Sequence, residues 1–327
     1  MLGRKPSNMT DGIYAAEKGF YFLKPDIDKI TRWPTHSFRI ITNSYGFRDT
    51  KIGTPGFFDE YYFFLGDSSV FGHGVDYAES YVGVLSEKME QHNVSILNLA
   101  VGGHHINDQL TFLRKTIGST DLIPQKIFLG INPFFLYYFE DEHEDIITRN
   151  GYLFHKGSWL LPYLKIMAGN NSAAYCFLRD RMRIAQSQIL PENHKENPVY
   201  FEVFSKSNEI MSLSMKEKME NVLYEYKKVA DSFRAKLIIV YTPIGAHFYF
   251  EDLLGSYGED SLDYDSGYYF RLLKDFCERN GLDFIDTTPE LQSLYNSGVK
   301  LQLEIDAHYN GRANKIIGNF IYQHIDK

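Results

Sequence analysis

Tyr62-Phe63-Phe64-Leu65-Gly66-Asp67-Ser68-Ser69-Val70-Phe71-Gly72-His73-Gly74-Val75 is an aromatic, apolar run that passes straight into Gly-Asp-Ser and a glycine-punctuated turn. Such a run reads as a strand ending at the rim of a sheet, where it presents the Ser68 hydroxyl. Four other runs share its character: Ser95 to Ala100, Lys126 to Gly130, Lys236 to Thr242 and Asp283 to Asp286. Helical patterns alternate with them at Ser80 to Gln91, Ile106 to Ile117, Ser214 to Arg234 and Ser266 to Asn280. The alternation predicts an α/β fold, a three-layer α/β/α sandwich around a five-stranded parallel sheet in the flavodoxin-like order 2-1-3-4-5. A last helix carries Ala313, Ile316, Ile317, Phe320, Ile321 and His324 at spacings of three and four, a stripe expected to dock on the sheet.

Doubly wound sheets place their sites at the carboxyl ends of strands, and Ser68, Gly103 and Asn132 each follow an expected strand end. Far downstream stands Asp306-Ala307-His308. A serine nucleophile needs a base within hydrogen-bond reach, a group that orients the base, and donors aimed at the developing oxyanion. Ser68, His308 and Asp306 have the residue types and chain order for those roles. Taken singly, each has a plainer reading: Ser68 as a turn serine, His308 as a structural histidine and Asp306 as a helix cap, with Glu304 then the other candidate orienter. Asp67 reads as a brace for the turn.

The blocks in this order resemble the SGNH/GDSL hydrolase family, from about Thr42 to the C-terminus. Residues 66 to 75 match its Gly-Asp-Ser-x-x-Phe-Gly-x-Gly-Val form. Asn98-Leu99-Ala100-Val101-Gly102-Gly103 supplies the second-block glycine, with Gly103 the better match, and Asp306-Ala307-His308 fits a short form of the last block. Upstream, Thr42-Asn43-Ser44-Tyr45-Gly46-Phe47-Arg48-Asp49 is similar to the Asn-Ser-x-Gly-Phe-Arg lead-in of a bacterial branch often encoded beside surface-polysaccharide genes. The third block departs from the pattern, since Gly130-Ile131-Asn132-Pro133 keeps the asparagine and replaces the aspartate by proline. Proline lacks an N–H and restricts the residue before it, so this corner is expected to be built differently.

The resemblance implies a serine-dependent acyl ester hydrolase or O-acyltransferase acting on a small acyl group, acetyl foremost, carried on a carbohydrate. It assigns catalysis to Ser68, Asp306 and His308, and the oxyanion hole to the Ser68 and Gly103 N–H groups with the Asn132 side chain. Asn107 is the substitute donor if Asn132 is turned away. The departure at Pro133 keeps a second reading open, a catalytically impaired carbohydrate-binding relative.

His73, His104, His105 and Asn107 are read as cleft-lining groups for substrate, together with Phe134 from the aromatic run that follows Pro133. The histidines lack a zinc-type spacing such as His-Glu-x-x-His, so no metal is expected there. Walker and dinucleotide fingerprints are also missing, and no cofactor is expected.

At 327 residues the chain can bury one sizeable core plus an insertion. The stretch 140–213 breaks the alternation and is too long for an ordinary crossover, so it reads as an inserted cap; residues 1–41 read as a segment wrapping the 42–327 domain. Lys and Arg number 34 against 42 Asp and Glu, and this net charge of -8 argues against a nucleic-acid partner. No apolar core follows the basic pair Arg4-Lys5, and the most apolar window, Ile127 to Phe139, is broken by Gly130, Asn132 and Pro133. A cytoplasmic chain without a membrane span is therefore expected. Cys176 and Cys277 read as buried free thiols.

Overall fold

The computed structural model describes residues 12–17, 20–32, 36–54, 56–137, 146–171, 199–206, 209–259, 261–303 and 307–325. The chain divides into two compact units, Met1–Phe22 with Glu142–Glu202, and Leu23–Asp141 with Val203–Lys327.

The smaller unit holds β1 (Tyr14–Glu17), which pairs with β2 (Phe20–Leu23), and an antiparallel hairpin of β9 (Ile146–Arg149) and β10 (Tyr152–His155). Rings hold it together: Tyr14 meets Tyr21 edge-on at 5.7 Å, Phe154 meets Tyr163 at 5.9 Å, and the Arg149 guanidinium lies 4.8 Å above Trp159.

The larger unit is built on one sheet made of β3 (Asp28–Arg32), β4 (Ser37–Thr42), β5 (Arg48–Asp49), β6 (Glu60–Leu65), β7 (Val94–Asn98), β8 (Pro124–Ile131), β11 (Lys236–Tyr241) and β12 (Asp283–Asp286). Across the sheet the order is β12-β11-β8-β6-β7-β5-β4-β3. The five parallel members are the five expected strands, in the expected order 2-1-3-4-5. β6 lies at the centre, with Phe63, Phe64 and Leu65 fully buried, and Phe64 stacks on Phe128 of β8 at 5.1 Å. Central parallel strands are covered on both faces and so read as continuous apolar runs. Each such side chain contributes about 1.5–3 kcal/mol on burial.

Three antiparallel strands lengthen the sheet beyond the five. Residues 28–42, which begin in the expected wrapping segment 1–41 and end just past it, supply β3 and β4, and Arg48 of β5 pairs with Asn98 of β7. The turn before β5 explains the lead-in residues. Asn43 Oδ1 accepts the N–H groups of Tyr45 and Phe47 at 3.0 and 3.1 Å, which bends the chain back toward the sheet.

Helices Tyr81–Glu90, Ile106–Ser119, Glu209–Ser232, Tyr268–Asn280 and Gly311–His324 match the expected ones. The helices Phe250–Tyr257 and Thr288–Asn296 are additional. The last helix differs in what it buries: Ala313, Asn314, Ile317, Gly318 and Ile321 point inward, while His324 is exposed. It packs against the helix Tyr81–Glu90, and a Cβ at Gly318 would stand 2.7 Å from Tyr81 O. Among the described residues no helix is long and apolar enough to cross a membrane.

Candidate active site

β6 ends at Leu65, and a single helical turn, Ser68–Phe71, begins two residues after Gly66. At Gly66 the backbone has φ +154°, and an added Cβ would lie 2.1 Å from Val70 Cγ2 and 2.9 Å from Gly130 O. A Cβ on Gly130 would lie 2.5 Å from the same Val70 methyl. The strand can therefore turn tightly into the helix because both strand ends lack side chains where Val70 packs.

Asp67 is the N-cap and accepts Ser69 N–H on Oδ1 at 2.8 Å. Ser68 is thereby the first residue of the helical turn, half-buried. Its Oγ lies 2.7 Å from His308 Nε2, a contact that spans 240 residues of sequence.

The histidine is held from several sides. Leu303 N–H donates to the His308 carbonyl at 3.0 Å, and Gln302 Nε2 donates to Ala307 O at 3.1 Å. The neighbouring Tyr309 donates its hydroxyl to Pro243 O, just past β11. Asn314 donates to Tyr309 O at 2.9 Å and accepts Tyr81 N–H at 3.2 Å. Asn310 caps the last helix by accepting Ala313 N–H at 3.0 Å. The expected orienter Asp306, and Glu304 with it, lie outside the described residues.

Asn132 is buried at the end of β8, and its side chain serves two neighbours. Oδ1 accepts Phe135 N–H at 3.0 Å, capping the short helix Pro133–Tyr137. Nδ2 donates to Asp67 Oδ2 at 2.7 Å, with a longer contact of 3.3 Å to Ser69 Oγ. Pro133 thus occupies the first helical position, where no N–H is needed and its fixed φ suits the helix. The corner is a capped helix start, which accommodates proline in the position after Asn132.

The other singled-out groups fall in different places. The His73 ring packs 5.0 Å from the His308 ring. His104 is only 2% exposed, and its Nδ1 accepts from Gln109 Nε2 at 2.9 Å, so it sits in the interior. His105 N–H donates to Asp108 at the start of the helix Ile106–Ser119, and Asn107 is exposed on that helix's first turn. Gly103 is half-exposed with φ +85°, and Phe134 is half-buried. Cys277 is buried and free, whereas Cys176 lies outside the described residues.

Two residues given no role above are built into this corner. Gln109 is fully buried and accepts Gly66 N–H at 3.1 Å while it holds His104, so one amide joins the strand end to the second block. Its sequence signal is its place beside Ile106, Leu110 and Leu113 on the buried face of the helix. Arg48 is 1% exposed and donates to the carbonyls of Phe71, Gly72 and Val75.

No protein-family model matches the sequence, and no curated protein matches it. Solved structures do. A member of the lipolytic protein G-D-S-L family from Veillonella parvula is similar over 81% of this chain and 97% of its own, at 14% identity and a TM-score of 0.46. A catalytic mutant of Axe2, an acetylxylan esterase from Geobacillus stearothermophilus, is similar over 83% and 95%, at 12% identity and 0.44. The psychrotrophic esterase EstA from a Pseudoalteromonas species is similar over 81% and 96%, at 12% identity and 0.40. Functional weight rests on the geometry of Ser68 and His308.

Proposed function

We propose that this chain is a serine-dependent carboxylic ester hydrolase with Ser68 as nucleophile and His308 as base. The supporting observation is the 2.7 Å approach of His308 Nε2 to Ser68 Oγ, the reach that proton transfer requires. As the Oγ–carbonyl carbon bond forms, the serine proton passes to Nε2 and the carbonyl oxygen becomes an oxyanion. Collapse breaks the ester C–O bond, and the leaving alkoxide takes that proton from His308. Water, or a second alcohol, then gives its proton to His308 as it attacks the acyl-serine, and Ser68 is released with its proton restored.

The proposed oxyanion donors are the N–H groups of Ser68 and Gly103 with Asn132 Nδ2, whose contact to Ser69 is the longer of its two and is the one to be exchanged for substrate. Asp306 is the proposed orienter of His308. The proposed substrate is a small acyl ester, acetyl foremost, on a carbohydrate; the support for the carbohydrate is the lead-in of residues 42–49. The commitment of Asn132 Nδ2 to Asp67 favours one other reading, a slow, carbohydrate-binding relative.

Labelling with a fluorophosphonate tests the proposal. Intact mass should show one adduct, mapped to Ser68 and absent from Ser68→Ala, together with turnover of p-nitrophenyl acetate over longer esters. Equal labelling of Ser68→Ala would remove Ser68 from its role. Labelling of Ser68 without turnover of any ester or any sugar acceptor would favour the slow relative.

A further inference from the structure

We infer that Arg48 is a positioning residue that sets the geometry of the Ser68–His308 pair through the turn at 71–75, an inference that rests on Ser68 being the nucleophile. The helix Ser68–Phe71 is a single turn, too short to hold its own shape, because nucleating a helix fixes several dihedrals for one hydrogen bond. Its geometry has to be imposed from outside.

Arg48 is placed to do so. Nη1 donates to Phe71 O and, at 2.5 Å, to Gly72 O, while Nη2 donates to Val75 O at 2.6 Å. The guanidinium carbon also lies 4.3 Å above the Phe71 ring. The last carbonyls of a helical turn lack N–H partners within it, and the planar fork of arginine can engage several carbonyls at once where an ammonium cannot.

The clamped turn reaches both reacting groups. Ser68 O accepts the N–H groups of Gly72 at 3.1 Å and His73 at 3.0 Å, so the peptide that carries the nucleophile hangs from the segment that Arg48 grips. The ring of His73 then packs against His308 at 5.0 Å. A shift in this turn moves Ser68 through its carbonyl and His308 through its ring neighbour. Misplacement of reacting groups by about 1 Å costs on the order of 100-fold in rate. Arg48 touches neither substrate nor the reacting atoms, so its effect should fall on kcat.

The test uses the full chain with Arg48→Lys, which keeps the charge and loses the fork, and Arg48→Ala, which opens a guanidinium-sized space. For folded Arg48→Lys, kcat on p-nitrophenyl acetate and the fluorophosphonate labelling rate should both fall ~10- to 100-fold, with KM within about twofold. Low millimolar guanidinium should restore activity to Arg48→Ala and leave the unmodified protein unchanged. Wild-type kcat in either folded variant, or a loss confined to KM, would overturn the inference. If neither variant folds, Arg48 is a folding determinant and the inference also falls. Failure of the unmodified protein to label at Ser68 would instead sink the hydrolase reading, whatever Arg48 does.

Discussion

The Asp67 carboxylate joins the two strand-end corners of the site: Oδ1 takes Ser69 N–H at 2.8 Å and Oδ2 takes the Asn132 amide at 2.7 Å. Asp67 therefore acts on Asn132 as well as on its own turn. If the remaining amide hydrogen of Asn132 serves the oxyanion, Asn132→Ala should lower kcat by ~100-fold or more, about 3 kcal/mol, with little change in KM. Asp67→Ala should lower kcat in the same direction, and the double variant should cost less than the sum, because one side chain aims the other. Additive losses in steady-state kinetics would separate the two roles.

Gln109 holds two buried groups at once, and replacing it removes both bonds. Gln109→Leu leaves Gly66 N–H and His104 Nδ1 without their amide partner, at about 1–3 kcal/mol for each group. Urea unfolding should show the loss as a lower midpoint. A midpoint within error of the unmodified protein would mean that water replaces the amide.

Burial pushes the Cys277 thiol up to about 12, with Glu278 adding in the same direction. The thiolate is the reactive form, so Cys277 should resist iodoacetamide at pH 8 in the folded protein and react in urea. Peptide mapping of the alkylated residue reads this directly, and fast native alkylation at Cys277 would contradict the packing of the helix Tyr268–Asn280.

His247, in the turn after β11, has its pKa lowered by burial, while the charge of Asp286 and a backbone bond at Ser266 act against that shift. A folded-state value below the unfolded one means the unfolded chain binds the proton more readily. Its contribution is thus intact above the ordinary histidine value and is lost as pH falls through the lowered one. Thermal melts from pH 8 to pH 5 should show a decline that is shallower in His247→Gln.

Parallel strands buried on both faces announce themselves as apolar runs, which is why the five strands of the central sheet could be read from residues alone, while their order came from the doubly wound pattern. β3 could not, since its alternation is inverted: Thr31 is buried, and Ile30 is 58% exposed. Ser68 and His308 were legible as blocks in the right order. Arg48 was visible as a motif letter but not as a buried clamp, because its acceptors lie 23 to 27 residues downstream and nothing local marks an arginine as interior. Pro133 reads as a sign that this corner is built differently; that proline suits the first position of a helix capped by Asn132 was not legible, because the short helix Pro133–Tyr137 has no periodic pattern of its own.

Val70 packs its methyl where both Gly66 and Gly130 would carry a side chain. The three positions therefore mutate as one coupled set. Gly130→Ala alone should be harmful and cost less once Val70→Ala has vacated the space, although Tyr81 Oη, 3.0 Å from the added Cβ, still presses on it. Gly66, at φ +154°, gains less from the same exchange. Libraries built one substitution at a time will find this packing closed, while libraries that vary positions 70 and 130 together can reshape it.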